Sequence, residues 1–141
     1  MLAAEKINVR FLLDTNICIY LMKGRVANVQ RQFAALQAYE VAISVITLGE
    51  LYFGANKSQQ RVQAVNALQS LTQSLRVLEL NEDVTRHYGE IRAFLEAKGQ
   101  PVGANDLWIA AHARALGLTL VSNNLREFSR VPNLALENWA S

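Results

Sequence analysis

Short apolar runs alternate along this chain with longer stretches in which apolar residues recur every three or four positions. Short runs are typical of buried strands, and the longer spacing is typical of helices that bury one face. The runs predict strands at residues 9–13, 41–44, 76–80 and 118–121, with a fifth, edge strand at 135–137. Strands that alternate with helices predict a parallel sheet covered on both faces, because parallel neighbours need crossover helices.

The longer stretches also carry the end signals of helices. Asn81 stands where it can cap a helix, and Gly24 and Gly117 each follow an apolar-periodic stretch as C-terminal glycines do. In the longest stretch, the apolar positions fall on one helical face, which we expect to pack on the sheet. The predicted helices span residues 17–22, 26–36, 45–55, 59–74, 82–98 and 106–116.

Three predicted strands end in polar residues. Asp14 follows the first strand, Ser44 ends the second, and residues 122–124 (Ser-Asn-Asn) follow the fourth. In parallel α/β sheets, ligand chemistry collects at the carboxyl ends of the strands. Two more carboxylates, Glu50 and Asp106, lie among apolar neighbours in the helical stretches. These three strand ends and two carboxylates are the candidates for a functional site.

Each candidate carboxylate also has a purely structural alternative. Asp14 or Thr15 could cap the helix that follows, Asp106 could cap its own helix, and Glu50 could be an exposed helix residue. Spacing alone does not bring them together. If they do meet, a cluster of carboxylates in apolar surroundings is tolerated mainly around a cation, and oxygen ligands favour Mg²⁺ or Mn²⁺ over zinc.

The composition is typical of a globular protein rather than of one that spans a membrane. The chain has 141 residues, of which 51% are hydrophobic and 18% charged, and no apolar stretch reaches the length of a membrane span. We therefore expect one soluble, cytoplasmic domain without a secretion signal. Cys18 cannot form an internal disulfide and is expected to be buried and inert, and His87 and His112 lack the spacing of zinc ligands.

The net charge of the whole chain is small. The charge that remains when the candidate carboxylates are left out of the count favours a polyanionic partner. The chain carries 14 basic and 12 acidic side chains, a net charge of +2. If three carboxylates are counted as metal ligands, nine acids remain against 14 bases, which leaves +5 on the rest of the surface. A surface with this excess of positive charge would suit a polyanionic partner, although the net charge of +2 does not by itself imply nucleic acid.

Four segments, in this order, resemble the four motifs of PIN-domain ribonucleases. Each motif is weak singly, but the ordered set is specific. The resemblance runs from about Phe11 to Trp139 and is strongest to VapC-type toxins of bacterial toxin–antitoxin pairs. The four segments are residues 12–16 (Leu-Leu-Asp-Thr-Asn), 44–54, 103–110 and 121–128.

The resemblance implies a metal-dependent endoribonuclease. The implied fold is a three-layer α/β/α domain over residues 1–141, with a central, mostly parallel sheet of four to five strands. Whether residues 1–8 form a flexible extension stays open. Asp14, Glu50 and Asp106 fall on the acidic metal-binding positions of the family, which implies Mg²⁺ as the cofactor, with Mn²⁺ able to substitute.

The fourth acidic position of many family members is occupied here by Asn124. An amide carries no charge, so a second metal site is in doubt. Glu127 could compensate, although a surface charge beside Phe128 is the simpler interpretation of this residue. Ser122 matches the small hydroxyl partner of the fourth position, and Thr15 and Asn16 are expected to support the site.

The resemblance also implies partners. Similar toxins cut structured RNA, frequently transfer RNA in its anticodon region, and the groups nearest in motif pattern include initiator-tRNA cleavers. They are silenced by a cognate VapB-like antitoxin that inserts into the catalytic groove, and they form homodimers or toxin–antitoxin hetero-oligomers. Arg126, Lys57 and Arg25 are the candidate RNA contacts, against the alternative that each is a solvated surface charge.

Two other functions fit parts of the sequence. A catalytically weak PIN-fold module that only binds RNA or protein is suggested by Asn124. A phosphoacceptor signalling domain would also place an Asp such as Asp14 at a strand end. That class needs an acidic pair before the phosphoacceptor and a Lys at a late strand end, which this sequence lacks.

Overall fold

The computed structural model of the protein describes residues 8–141, so the open question about residues 1–8 falls, apart from Asn8, outside the described part. Its strands are β1 (Phe11–Leu13), β2 (Val41–Ser44), β3 (Arg76–Leu78), β4 (Thr119–Val121) and β5 (Leu136–Glu137). Its helices are α1 (Thr15–Lys23), α2 (Ala27–Ala34), α3 (Val45–Lys57), α4 (Arg61–Gln73), α5 (Glu82–Ala97), α6 (Ala104–Leu116) and α7 (Leu125–Phe128), with a 3₁₀ turn at Ala38–Glu40.

The five strands form one sheet in the order β3-β2-β1-β4-β5, and every neighbouring pair is parallel. The predicted α/β fold is confirmed, with a sheet that is wholly rather than mostly parallel. The third strand ends at Leu78 instead of residue 80. Leu78 pairs with Ser44, the last residue of β2, so the chain beyond it has no partner on that side.

Side chains at alternate positions of the strands point to opposite faces of the sheet and pack into two separate cores. Leu12 and Leu120 face α5 and α6 in one core, whereas Phe11, Leu13 and Val121 face α1 to α4 in the other. All five are buried because the sheet is covered on both faces, as parallel sheets are. The three layers predicted from the sequence are therefore present.

Two helices end at the glycines that the sequence predicted. One helix begins earlier than predicted, so the structure decides whether Asp106 caps it. Gly24 and Gly117 take left-handed conformations, with φ of 63° and 68°, and close α1 and α6. Helix α6 begins at Ala104 with Gly103 as its N-cap. The alternative that Asp106 caps this helix is wrong, because Asp106 lies inside the first turn and its side chain is free to serve elsewhere.

Candidate active site

The polar residues at the strand ends form the floor of a site at the carboxyl edge of the sheet. β2, β1 and β4 are adjacent, so Ser44, Asp14 and Ser122 lie side by side where these strands end. All three side chains are buried. A polar floor under an otherwise apolar sheet is costly unless each group is hydrogen-bonded, and here each one is.

Asp14 both caps a helix and belongs to the floor. One carboxylate oxygen, Oδ1, accepts a hydrogen bond from the backbone N–H of Ile17 at 3.1 Å, which caps α1. The other, Oδ2, accepts one from Ser122 Oγ at 2.5 Å. The structural alternative and the site are thus compatible, since each uses a different oxygen.

Burial dominates the electrostatics of Asp14. It raises the pKa of this carboxyl above its ordinary value, and the negative charge of Glu50 adds to the rise. Hydrogen bonds from Ser122 and from the backbone N–H groups of Ile17 and Asn16 oppose it. Asn16 therefore supports Asp14 through its main chain, while its own side chain is exposed.

Glu50 projects from α3 between two neutral donors. Thr15 Oγ1 donates to Glu50 Oε1 at 2.5 Å, and Asn105 Nδ2 donates to Glu50 Oε2 at 3.2 Å. These bonds link α3 to the first residue of α1 and to the first turn of α6. Thr15 was predicted as a supporting residue, but Asn105 was not. Its position next to Asp106 was the only signal available in the sequence.

Asp106 lies on the first turn of α6, half-buried above the floor. Burial, followed by the negative charges of Asp14, Glu50 and Glu127, raises its pKa to about 6. Within residues 8–141 no side chain or main-chain group donates a hydrogen bond to it. The mutual effect of these charges places the four carboxylates in one acidic cluster, which sequence spacing alone could not establish.

A buried link lies beneath the cluster. His112 Nδ1 lies 2.9 Å from Ser44 Oγ, which in turn accepts the backbone N–H of Ile46 and caps α3. This contact joins the helix that carries Glu50 to the helix that carries Asp106. His112 is therefore a buried residue that packs α6 against the floor.

The region after β4 closes the site. The backbone N–H of Asn124 donates to Ser122 Oγ at 2.9 Å, so the hydroxyl accepts one bond and donates another to Asp14. Glu127 lies in α7, and its charge acts on Asp106. This favours Glu127 as a member of the cluster over an unrelated surface charge, although its role stays a prediction.

The candidate RNA contacts are placed unequally. Lys57 ends α3, the helix that carries Glu50, and lies above the ring of Phe53. Arg126 is exposed on α7, one residue before Glu127. Arg25 is exposed just after α1, and no contact within the described residues ties it to the acidic cluster.

The donor set fits a hard cation in chemistry, and the present side-chain positions do not yet close around one. Asp14, Glu50, Asp106 and Glu127 offer only oxygen atoms, the ligands that Mg²⁺ prefers. Among residues 8–141, no three acidic, histidine or cysteine side chains already converge to hold a metal ion. Coordination would therefore need the acidic side chains to move closer together.

Comparison with known proteins identifies the family. Residues 11–134 match the PIN domain. The chain is also 42% identical to ribonuclease VapC2 of Haemophilus influenzae over 92% of its own length and 98% of that protein. This chain belongs to the VapC family of PIN-domain ribonucleases. The resemblance seen in the four sequence motifs is thereby confirmed, and so is the assignment of a nuclease.

Other VapC relatives match over nearly the whole chain. The tRNA(fMet)-specific endonuclease VapC of Shigella flexneri is 42% identical over 93% of this chain and 98% of its own. Among solved structures, DNA-bound VapBC of Salmonella typhimurium matches with a TM-score of 0.88 and 40% identity over 93% of this chain and 98% of its own. VapBC2 of Rickettsia felis, bound to a promoter DNA fragment, matches with a TM-score of 0.86, 41% identity and coverage of 93% and 99%.

No helix in the described part of this VapC-family chain is long and apolar enough to cross a membrane.

Proposed function

We propose that this protein is a VapC-type toxin, a metal-dependent endoribonuclease that hydrolyses phosphodiester bonds in RNA in the cytoplasm. The observation that carries the proposal is the acidic cluster at the carboxyl edge of the sheet, where Asp14, Glu50 and Asp106 act on one another's charges. Without a cation, such a cluster would repel the phosphates of RNA. The chemistry of the site thus calls for a positive ion.

Asp14, Glu50 and Asp106 would hold Mg²⁺, with Mn²⁺ as a substitute and Glu127 as a further ligand. Bound there, the ion would supply an activated water and neutralise charge on the phosphodiester. Ser122 holds Asp14 by a hydrogen bond, and Thr15 and Asn105 hold Glu50. These neutral groups orient the carboxylates before the ion arrives, as supporting residues of metal sites do.

Transfer RNA is the proposed substrate. Support comes from the Shigella flexneri relative, which is named as specific for tRNA(fMet) and is 42% identical. Initiator transfer RNA, cut in its anticodon region, is therefore the first RNA to test. Lys57 and Arg126 are proposed to contact phosphates near the cleaved bond, and Arg25 more distant ones, which would make binding depend on salt.

A VapB-like antitoxin is the proposed inhibitor. The solved relatives in Salmonella typhimurium and Rickettsia felis are VapBC complexes. An apolar cleft of about 350 Å³ between α1, α3 and α4 includes Met22 and Leu51 and reaches Glu50, so a protein segment lying in it would end at the site. A homodimer or a toxin–antitoxin hetero-oligomer remains the predicted assembly.

The first experiment is cleavage of a labelled transfer-RNA pool by the wild type and by Asp14→Asn, each with Mg²⁺, Mn²⁺ or EDTA. Discrete fragments that require both the metal and Asp14 are expected. Activity that persists in EDTA would reject the metal, and activity retained by Asp14→Asn would reject the site. Sequencing the fragment ends would identify the cleaved bond.

One alternative function has a specific observation in its favour. Asn124 stands at the position where the fourth motif, by its resemblance to PIN-domain ribonucleases, implies an acid, so the protein could be a PIN-fold module that binds RNA or protein without cutting. Intact RNA that is nevertheless bound, in a preparation free of antitoxin, would favour that module. In that case Asn124→Asp would be expected to restore cleavage, because it returns the missing charge.

A further inference from the structure

A second cleft lies on the opposite side of α3 from the apolar one. It has a volume of about 630 Å³ and is bounded by Glu50, one member of the acidic cluster. Thr15 and Asn105 surround Glu50 at this inner end, and the ring of Phe53 lies one helical turn away at the outer end. Its lining consists of Thr15, Val45, Ile46, Gly49, Glu50, Phe53 and Asn105.

The aromatic ring at the outer end is unusually accessible. Phe53 is 66% exposed, although the other phenylalanines of β1 and α7 are buried. It lies on the same helix as Glu50, one turn further along, so ring and carboxylate face the same cleft. Lys57 follows by another turn, and its Nζ is 5.1 Å from the centre of the Phe53 ring.

We propose that Phe53 and Lys57 form a subsite for a nucleotide of the RNA substrate. An unpaired base next to the cleaved bond stacks on Phe53, and Lys57 contacts the phosphate beyond that base. The proposal rests on the proposed function, because it places this nucleotide relative to a phosphodiester held at Asp14, Glu50 and Asp106. Aromatic rings that receive bases beside a cation are how proteins bind single-stranded RNA.

Charge and shape favour RNA over a protein segment as the occupant. A base has two flat faces that can stack on Phe53 and polar edges that suit polar side chains such as Thr15 and Asn105, which line the same cleft. Its phosphate complements Lys57. The apolar cleft across α3 has the opposite character, with aliphatic side chains such as Met22 and Leu51, and it suits the antitoxin better.

The chain offers a matched control for this pair. Phe94 and Lys98 have the same spacing at the end of α5, with Lys98 Nζ 4.6 Å from the centre of the Phe94 ring. Phe94 is 38% exposed and does not line the cleft. A general effect of removing a surface Phe near a Lys would therefore appear in Phe94→Leu as well as in Phe53→Leu.

The test measures base stacking apart from cleavage. Short single-stranded RNAs carrying 2-aminopurine at one position at a time are titrated with Asp14→Asn protein in Mg²⁺. We expect quenching of fluorescence at one position, its loss in the Asp14→Asn/Phe53→Leu protein, and its return with Phe53→Tyr. Phe94→Leu should quench as the parent does. Lys57→Gln should lower the slope of log affinity against log salt by about one.

Cleavage kinetics provide the second readout in otherwise wild-type protein. Phe53→Leu should raise KM for RNA by about tenfold with little change in kcat, since it removes stacking rather than chemistry. A change below twofold in a cleaving enzyme would overturn the subsite and leave the proposed function intact. If the wild type does not cleave, the fluorescence experiment still decides, and quenching that does not depend on Phe53 overturns the subsite. Unchanged RNA binding together with lost inhibition by the cognate antitoxin would assign Phe53 to the protein partner and also overturn it.

Discussion

The acidic cluster has a floor, with Asp14 at the end of β1, and a wall, formed by Glu50 on α3 and Asp106 on α6. The protein supports the carboxylates of the floor and of the wall differently. On the floor, Asp14 is buried, but Ser122 and the main chain of α1 donate hydrogen bonds to it. On the wall, Asp106 is only half-buried, yet it faces three other carboxylates without a donor from the described residues, and its pKa is raised to about 6. Burial raises the pKa of both carboxyls, but donors of the protein itself hold Asp14 in position, whereas no described residue does so for Asp106.

Glu50 is intermediate between Asp14 and Asp106 in the hydrogen bonds that support it. Thr15 and Asn105 each donate to one of its oxygens, but both donors are neutral and belong to other helices. From this contrast we propose that the floor is preorganised and that a cation, if bound as proposed, would complete the wall.

Removing either aspartate should abolish most of the activity. Asp14→Asn and Asp106→Asn are each expected to slow cleavage by more than about 100-fold, because losing residues that merely orient metal ligands already costs 10–100-fold. Single-turnover cleavage of transfer RNA measures the loss. Glu96→Gln removes an exposed carboxylate on α5, paired with Arg92, and should leave the rate within twofold.

Removing the donors should separate floor from wall. Ser122→Ala deprives Asp14 of its side-chain donor and is expected to slow cleavage about tenfold. Thr15→Val deprives Glu50 of one donor and should cost less, because Asn105 still holds the other oxygen. Equal losses in the two variants would contradict the view that the floor is the preorganised part. The same single-turnover assay serves, with circular dichroism to verify folding.

Mg²⁺ should stabilise the folded protein through the wall. A ligand that binds only the folded state raises the free energy of unfolding in proportion to the logarithm of its concentration over its dissociation constant. We expect the wild-type Tm to rise by a few degrees in millimolar Mg²⁺ and that of Asp106→Asn to rise much less. A matching rise in both proteins would place the ion elsewhere. EDTA should reverse the effect.

The pH dependence of stability should reveal Asp106 in the metal-free protein. Its pKa is raised to about 6 by burial and by Asp14, Glu50 and Glu127. The folded state therefore keeps the proton of Asp106 at pH values where the unfolded chain has lost it. Binding this proton stabilises the folded state, and that stabilisation is lost as the pH rises through about 6. Asp106→Asn should be the more stable protein at pH 7.5 by about 1 kcal/mol, a small figure because a half-exposed charge is screened.

Urea unfolding in EDTA at pH 5 and pH 7.5 measures this difference. The advantage of Asp106→Asn should shrink at the lower pH, where wild-type Asp106 is largely protonated. Adding Mg²⁺ should reverse the order of stability at pH 7.5, since only the wild type gains a cation partner there. An advantage for the variant that is equal at both pH values would show that the charge of Asp106 does not cause it.

Local signals predicted the fold and much of the candidate site. Apolar runs marked the strands, glycines marked helix ends, and the polar residues after β1, β2 and β4 do meet at one edge. Contacts distant in sequence could not be predicted. Asn105 reaches Glu50 across 55 positions and His112 reaches Ser44 across 68, and nothing in the neighbouring residues encodes either pairing. Helix α3 runs past Gly54 to Lys57 because its packing on α4 outweighs the weak helix preference of glycine.

The bond between Ser122 and Asp14 spans 108 positions of the 141-residue chain. β1 pairs with β4 on one side, so the floor exists only once residues 119–122 have joined the sheet. A fragment of the chain that stops before β4 therefore cannot assemble the floor, however well its helices form.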